Sequence, residues 1–229
     1  MSDDATQGER QSRPPSHRLD ALAASVAILL LWPVLLVLAA AVRLDSRGPV
    51  IYSEQRLGRD GKPFRIYKFR TLHARSGHDP PVAASDDSRI TRLGARIRPL
   101  HLDELLQVIN IVRCEMRFVG PRPTRGELWE GVDADLRRRA LAFTPGLTSP
   151  ASIRFNCEDD VLAETTDPVR AYRDIVFPAK VAMDVRHFEH RRRWSDLRVL
   201  YATACTVACK RGDRSCRERL ERLLSRNRP

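Results

Sequence analysis

Residues 21–42 hold no charged side chain and almost no polar one. As a helix, those roughly 22 residues extend about 33 Å, enough to cross a bilayer core. Trp32-Pro33 stands at the midpoint, where proline removes a backbone donor and kinks a helix. Arg18 and Arg43 flank the run, so the charge bias sets no orientation and is met with both ends on the cytoplasmic side. The expectation is a re-entrant helix over residues 18–44 that enters one leaflet, breaks at Pro33 and returns. A straight span is the alternative on hydropathy alone. The run is too long, and starts too far in, for a cleaved signal peptide. Residues 1–17 are polar, with Pro and Ser, and read as a disordered tail.

After Gly48-Pro49, residues 50–55 and 64–69 flank a Gly-bearing turn and read as a β-hairpin. In its second strand Phe64, Ile66 and Lys68 share one face. Residues 72–89 are rich in Gly, Pro, Ser and Asp and predict a loop. Residues 90–98 predict a short basic helix that ends at Pro99. From His101 or Leu102 onward, Leu102, Leu105, Leu106, Ile109 and Val112 recur at helical spacing, which predicts an amphipathic α-helix with a buried apolar stripe. Asp103, Gln107 and Asn110 fall opposite, with Glu104 beside them. Phe118-Val-Gly-Pro-Arg-Pro123 is too rich in Gly and Pro for regular structure and holds Arg122 extended. Residues 128–142 predict a helix, 143–154 a Gly/Pro-shaped loop presenting Arg154, and 159–185 helix in pieces. Residues 186–208 form an amphipathic basic helix with Trp194 near its start, suited to an anionic membrane surface. Residues 209–229 are a basic helix or tail.

Charge narrows the partner. The 229 residues carry a formal net charge of +11, and all but four of the 40 basic residues are arginine. Such a chain suits an anionic partner: nucleic acid, lipid headgroups or a phosphorylated substrate. Against that background Asp103 and Glu104 stand out as adjacent anions in a first helical turn, where backbone N–H groups favour negative charge and keep both ionised. Ordinary capping explains such a pair by position; a bound metal or a cationic pocket explains it chemically. The five cysteines lack paired zinc spacing and read as reduced, mostly buried thiols.

Taken in order, several segments resemble the small monotopic phosphoglycosyl transferases of the bacterial sugar transferase family. They are the apolar helix with Pro33, Gln55-Arg56-Leu-Gly58, Tyr67-Lys-Phe-Arg-Thr71 and Leu102-Asp-Glu-Leu-Leu-Gln-Val-Ile-Asn110. Phe118-Val-Gly-Pro-Arg-Pro123, Pro145-Gly-Leu-Thr148 and Trp194-Ser-Asp-Leu197 follow. The resemblance implies an α+β, mostly α, monotopic membrane protein with a re-entrant helix, a small β-hairpin and amphipathic interfacial helices. Its catalytic domain covers residues 45–208, on the cytoplasmic face of the bacterial inner membrane.

It further implies transfer of a sugar 1-phosphate from a UDP-sugar to polyprenol (undecaprenyl) phosphate, with release of UMP. Asp103 would be the nucleophile and Glu104 the ligand of Mg²⁺, while Lys68, Arg70, Arg122 and Arg154 would bind substrate phosphate. Membrane lipids are partners and nucleic acid is not; a homo-oligomer is left open. Phosphoryl transfer needs an in-line nucleophile and cations around the transferring oxygens, and these residue types supply both. One departure is Ser149-Pro-Ala-Ser152, where many relatives carry Gly-Trp-Ala-Gln, so the sugar does not carry over. A membrane-tethered binder of nucleic acid or anionic lipid would explain the charge and the apolar helix, but neither the carboxylate pair nor the Gly-Pro-Arg-Pro turn.

Overall fold

The computed structural model describes residues 15–73, 89–192, 194–209 and 214–226. The tail expected at 1–17 and the loop expected at 72–89 lie largely outside them. Helix α1 (Pro15–Asp45) leads into a hairpin of β1 (Ile51–Leu57) and β2 (Pro63–Phe69). Then come α2 (Arg92–Ile97), α3 (Val108–Val112), β3 (Arg117–Val119), α4 (Ala134–Leu141) and β4 (Gly146–Thr148). Helices α5 (Pro150–Arg154), α6 (Glu158–Ala163), α7 (Pro168–Ala171), α8 (Phe177–Glu189), α9 (Ser195–Cys209) and α10 (Arg214–Arg226) complete the chain. Mostly helix with two small sheets, this agrees with the expected α+β class.

The hairpin is antiparallel, pairing Ile51 with Phe69 and Leu57 with Pro63, close to the expected strands. Helix α1 departs from expectation. It continues through Pro33, so the helix–break–helix expected there is corrected to one continuous helix. A proline costs one backbone hydrogen bond, which a long helix can absorb without ending. Helix α1 is long and apolar enough to cross a membrane, and Leu29, Leu30, Trp32, Leu36 and Val37 on it are exposed. Yet both of its ends are tied to the same body. Near the start, Arg117 Nε donates to Asp20 Oδ2 at 2.6 Å, and Ala24 is buried with Ile66, Ile111 and Met116. At the other end, Asp45 Oδ2 accepts the Leu93 N–H at 3.1 Å, while Leu38 and Val42 are buried with Phe69, Ile97 and Leu106.

Residues 98–112 differ most from the sequence reading. His101 takes left-handed backbone, φ 53°, and separates one 3-10 turn, Arg98–Leu100, from another, Leu102–Gln107, that runs into the five-residue α3. The single α-helix expected from His101 is therefore corrected. The expected burial of the apolar stripe holds in part, with Leu106 buried in the core, but the polar face is buried too. Asp103, Glu104, Gln107 and Asn110 are buried, whereas Val112 is 36% exposed and Leu102, Leu105 and Ile109 are half-buried. The leucines and Ile109 lean toward Leu35, Leu38 and Ala39 of α1, so the apolar stripe meets the apolar helix. The polar face turns inward because partners wait there. Asn110 Nδ2 donates to Arg65 O at 2.6 Å and to Glu115 Oε2 at 2.7 Å, and its Oδ1 accepts the Tyr67 N–H at 3.3 Å. These bonds satisfy the open edge of β2 and fix it beside the carboxylates.

Both Gly/Pro motifs expected to be irregular contribute short strands instead. Strands β3 and β4 pair in parallel, Arg117 opposite Gly146 and Val119 opposite Thr148. The backbones then cross so closely that a Cβ on Gly146 would lie 2.0 Å from Gly120 N. Only glycine permits that approach. The expected loop at 143–154 is corrected to β4 plus α5, whose first turn is capped by Ser149 Oγ accepting the Ser152 N–H. The helix expected over 128–142 divides into a 3-10 turn, Gly126–Trp129, and α4, capped by Asp133.

Cys157 and Cys216 form a disulfide, which corrects the expectation that all thiols are reduced; Cys114 and Cys205 are free. The link lies in a small core with Val161, Leu162, Val176 and Leu220. Helix α10 therefore packs on the body rather than trailing from it as a fully solvated segment.

Candidate active site

Two chain segments converge on Glu104. Lys68, near the end of β2, donates from Nζ to Glu104 Oε1 at 2.7 Å. Arg122, held by Pro121 and Pro123 just past β3, reaches the same carboxylate with both terminal nitrogens: Nη1 donates to Oε2 at 3.1 Å and Nη2 to Oε1. Burial alone would push the Glu104 carboxyl upward, but Arg122 and Lys68 overcome it and hold the group well below the usual carboxylate range. In return, Glu104 holds the Arg122 guanidinium above its ordinary range.

Asp103 is different. It is only 9% exposed and accepts no hydrogen bond from the described residues. Burial, and then the neighbouring Glu104 charge, push its carboxyl up against the opposing pull of Lys68, Arg98 and His101. The two carboxylates expected to be ionised alike are therefore held differently, Glu104 lowered by its cations and Asp103 raised by burial. An unpaired, desolvated carboxylate is more basic and a better nucleophile than a solvated one.

Of the residues expected from the sequence to form the site, Asp103, Glu104, Lys68 and Arg122 come together and the others do not. Arg70 is buried elsewhere, donating from Nη2 to Ser46 O at 2.7 Å and to Ser46 Oγ at 2.9 Å. Arg154 is exposed at the end of α5 and makes no ion pair among the described residues. Pro33 is exposed mid-way along α1.

Sequence reasoning missed a second ring of charge. Glu54 accepts from both Arg56 and Arg125. Burial lowers the Arg56 guanidinium, with Arg122 and Arg125 adding repulsion that Glu54 only partly offsets. Lys180 on α8 donates to Glu158 at 2.6 and 2.8 Å. Its burial would lower it, but Glu158 and Tyr172 leave it raised. Arg56 was visible in the Gln55-Arg56-Leu-Gly58 motif. Lys180 and Glu158 carried no local signal, because their pairing depends on how α6 meets α8.

The donor set suits Mg²⁺. That ion takes hard oxygens, one or two from protein and the rest from substrate phosphate and water. Glu104 Oε2 accepts a single hydrogen bond and so keeps a lone pair, and Asp103 stands beside it. Among the described residues no group of three or more His, Cys, Asp or Glu could form a cage, so any ion here would need substrate oxygens.

Acid should weaken this site in a defined window. The folded carboxyl of Glu104 is lowered, so its contribution to stability is present above the unfolded value of about 4.3 and is lost as pH falls toward the folded one. Denaturant midpoints measured from pH 6 down to 3 should fall more steeply for the wild type than for Glu104→Gln. Parallel curves would contradict the assignment.

A family model described as Bacterial sugar transferase matches residues 13–210. The chain is 34% identical over 188 residues to UDP-glucose:undecaprenyl-phosphate glucose-1-phosphate transferase of Caulobacter vibrioides, covering 81% of this chain and 66% of that protein. It is 31% identical to the Klebsiella pneumoniae protein of the same name, over 80% of this chain and 38% of that one. With the exopolysaccharide production protein ExoY of Rhizobium meliloti it shares 32% identity over 84% of this chain and 85% of the relative. The chain thus spans from under half to about two thirds of the first two relatives and most of the third.

Proposed function

The chain belongs to the bacterial sugar transferase family, and from that premise we propose that it transfers a sugar 1-phosphate from a UDP-sugar to undecaprenyl phosphate. The observation that carries this reading is the pairing of an unpartnered, buried Asp103 with a Glu104 clamped by Lys68 and Arg122. In the first step an Asp103 oxygen attacks the phosphorus that bears the sugar. The bond from that phosphorus to the bridging oxygen breaks, and UMP leaves with the electron pair. In the second step a phosphate oxygen of the lipid attacks the same phosphorus, the acyl-phosphate bond breaks, and the Asp103 carboxylate is restored. Lys68 and Arg122 neutralise charge on the transferring oxygens. Glu104, with Asp103 beside it, would hold Mg²⁺, which supplies further charge neutralisation on the diphosphate when bound.

The surroundings suit a lipid acceptor. The apolar side of the 102–112 segment rests on α1, which brings the carboxylates to the root of the exposed apolar helix. Trp194, just before α9, and Leu197 and Tyr201 on it are exposed as well, as in a helix lying at a headgroup boundary. The ion pair from Asp20 to Arg117 and the bond from Leu93 to Asp45 hold the two ends of α1 on one body; with Pro33 inside the continuous helix to bend it, this supports α1 entering and leaving by the cytoplasmic leaflet. Protease-cleavable tags at the two chain ends should then both be cut in inverted membrane vesicles and neither in intact spheroplasts. Cleavage of one tag from each side would overturn this topology.

The reaction itself is tested with purified membranes, undecaprenyl phosphate, Mg²⁺ and a panel of UDP-sugars, reading UMP release. Release that requires the lipid or the enzyme carboxylate supports the reading. No release from any donor, together with salt-sensitive nucleic-acid binding, would favour a tethered binding protein instead.

A further inference from the structure

Helix α10 is 13 residues long, too short to hold its shape alone in water, so it depends on what it docks against. It rests on α6 and on the π-turn Tyr172–Val176. Leu220 is buried there with Val161, Leu162 and Val176, and Leu223 and Leu224 pack against the same core. Beyond that core, Arg217 pairs with Glu164, but both are about half exposed, so solvent leaves the pair little weight. The Cys157–Cys216 disulfide ties α10 covalently to the residue that precedes α6, across a sequence separation of 59. A link over so long a stretch strongly restricts how far the undocked helix can wander. Cys157 is 8% and Cys216 2% exposed, so a thiol reagent meets the sulfurs only when α10 lifts.

What lies behind the disulfide leads to the active site. Glu158, the residue after Cys157, holds Lys180 at 2.6 and 2.8 Å. Lys180 Nζ stands 5.6 Å from the centre of the Tyr172 ring, and both residues line one small cavity with Arg122, which clamps Glu104. Tyr172 opens the π-turn, whose Val176 is fully buried against the disulfide core. Such turns are rare and frequent at functional sites; here one side of the turn faces α10 and the other the wall behind Arg122. The element with two arrangements is α10 itself, docked or lifted.

A cytoplasm keeps thiols reduced, and the disulfides found there are usually transient and redox-sensing. Resting on the cytoplasmic placement proposed above, we propose that Cys157 and Cys216 form a reversible thiol–disulfide site that sets whether α10 stays docked and, through the π-turn and Glu158, how firmly Arg122 is backed. The oxidant is a small-molecule disulfide of the glutathione class. One protein thiolate attacks a sulfur of it, a mixed disulfide forms and one small thiol leaves; the second protein thiolate then attacks the mixed disulfide and releases the other small thiol. Two protein thiols become one disulfide as one small disulfide becomes two thiols. In the reduced chain α10 is held by its apolar row and the exposed Arg217–Glu164 pair alone, and it lifts more often.

The test uses the full-length purified enzyme with Cys114, Cys205 and Cys209 replaced by Ser, equilibrated in glutathione buffers from fully reduced to fully oxidised. Thiol state is read by differential alkylation and peptide mass spectrometry. Hydrogen exchange of the α10 peptides, melting temperature and UMP release are read on the same samples. Conversion should be reversible. On reduction, α10 amides should exchange at least ~10-fold faster and the melting temperature should fall by roughly 5–10 °C. UMP release should fall by about 2–30-fold, the usual size of coupling through packed side chains. Cys157→Ser with Cys216→Ser should behave as the reduced form in every buffer. Leu220→Ala, which loosens α10, should speed reduction by dithiothreitol several-fold. A pair that stays oxidised in the most reducing buffer, or α10 exchange and UMP release equal in both forms, would overturn the proposal. Absence of UMP release in both forms would defeat the transferase reading instead, and thiol state with α10 exchange would still decide the docking. Tags that place the catalytic body outside the cytoplasm would remove only the cytosolic reductant, not the purified-enzyme result.

Discussion

Asp103→Asn should lower UMP release by at least ~10³-fold with the fold intact, the scale on which enzymes lose rate when a nucleophile is removed. The amide is close in size to the carboxylate, and Asp103 accepts no hydrogen bond from the described residues that the substitution would break, so little structural cost is expected. Its burial beside Glu104 raises the carboxyl, and the uncharged amide relieves that strain. Asp103→Asn should therefore melt at or slightly above the wild-type temperature. Loss of activity with retained or improved stability is the signature of a group kept for chemistry rather than for folding. A variant that remains near the wild-type rate would exclude covalent catalysis and favour direct attack by the lipid phosphate.

The second large effect reverses that pattern. Glu104→Gln removes the anion that Lys68 and Arg122 both grip, leaving two cations facing a neutral amide. Breaking one side of a buried ion pair costs about 3–5 kcal/mol. Arg122 is about one third exposed, so solvent screens part of the loss and the lower end, about 3 kcal/mol, is expected. Activity should fall on the order of 10²-fold or more, because the cations lose their positions and the hard oxygen donor is weakened. Chemical denaturation and UMP release measured on the same preparation check both halves. A variant with wild-type stability would mean that Lys68 and Arg122 do not depend on Glu104.

These two neighbours show what a sequence can and cannot convey. The carboxylates, Lys68 and Arg122 were legible because each sits in a short run whose residue types make sense together: an acidic pair before an apolar stripe, a strand with Lys near its end, an Arg braced by two prolines. The environment of each was not. Helical periodicity gave the polar and apolar faces of residues 102–112 but left the polar one to solvent, whereas both are packed, the apolar face on α1 and the polar face against β2 and Arg122, since burial depends on what lies opposite. Position in a first turn gave both carboxylates the same reason to be ionised, whereas three-dimensional packing bonds Lys68 and Arg122 to Glu104 and leaves Asp103 only the more distant pull of Lys68, Arg98 and His101. Arg70 looked equivalent to Lys68 two residues earlier, yet the chain turns after Phe69 and carries it to Ser46. The pairing of β3 with β4 was hidden because each strand has three residues, too few to set up a visible alternation. Contacts between distant segments, such as Lys180 with Glu158 or Cys157 with Cys216, leave no local trace at all.

The two-step mechanism requires one carboxylate to become covalently bound to the transferring phosphorus. Incubating the enzyme with a UDP-sugar labelled in the sugar, without lipid acceptor, and quenching rapidly for peptide mass spectrometry reads that bond directly. A sugar phosphate is expected on the peptide containing Asp103, formed together with UMP, discharged on adding undecaprenyl phosphate and absent from Asp103→Asn. UMP released only when lipid is present, with no adduct on that peptide at any time, would contradict it.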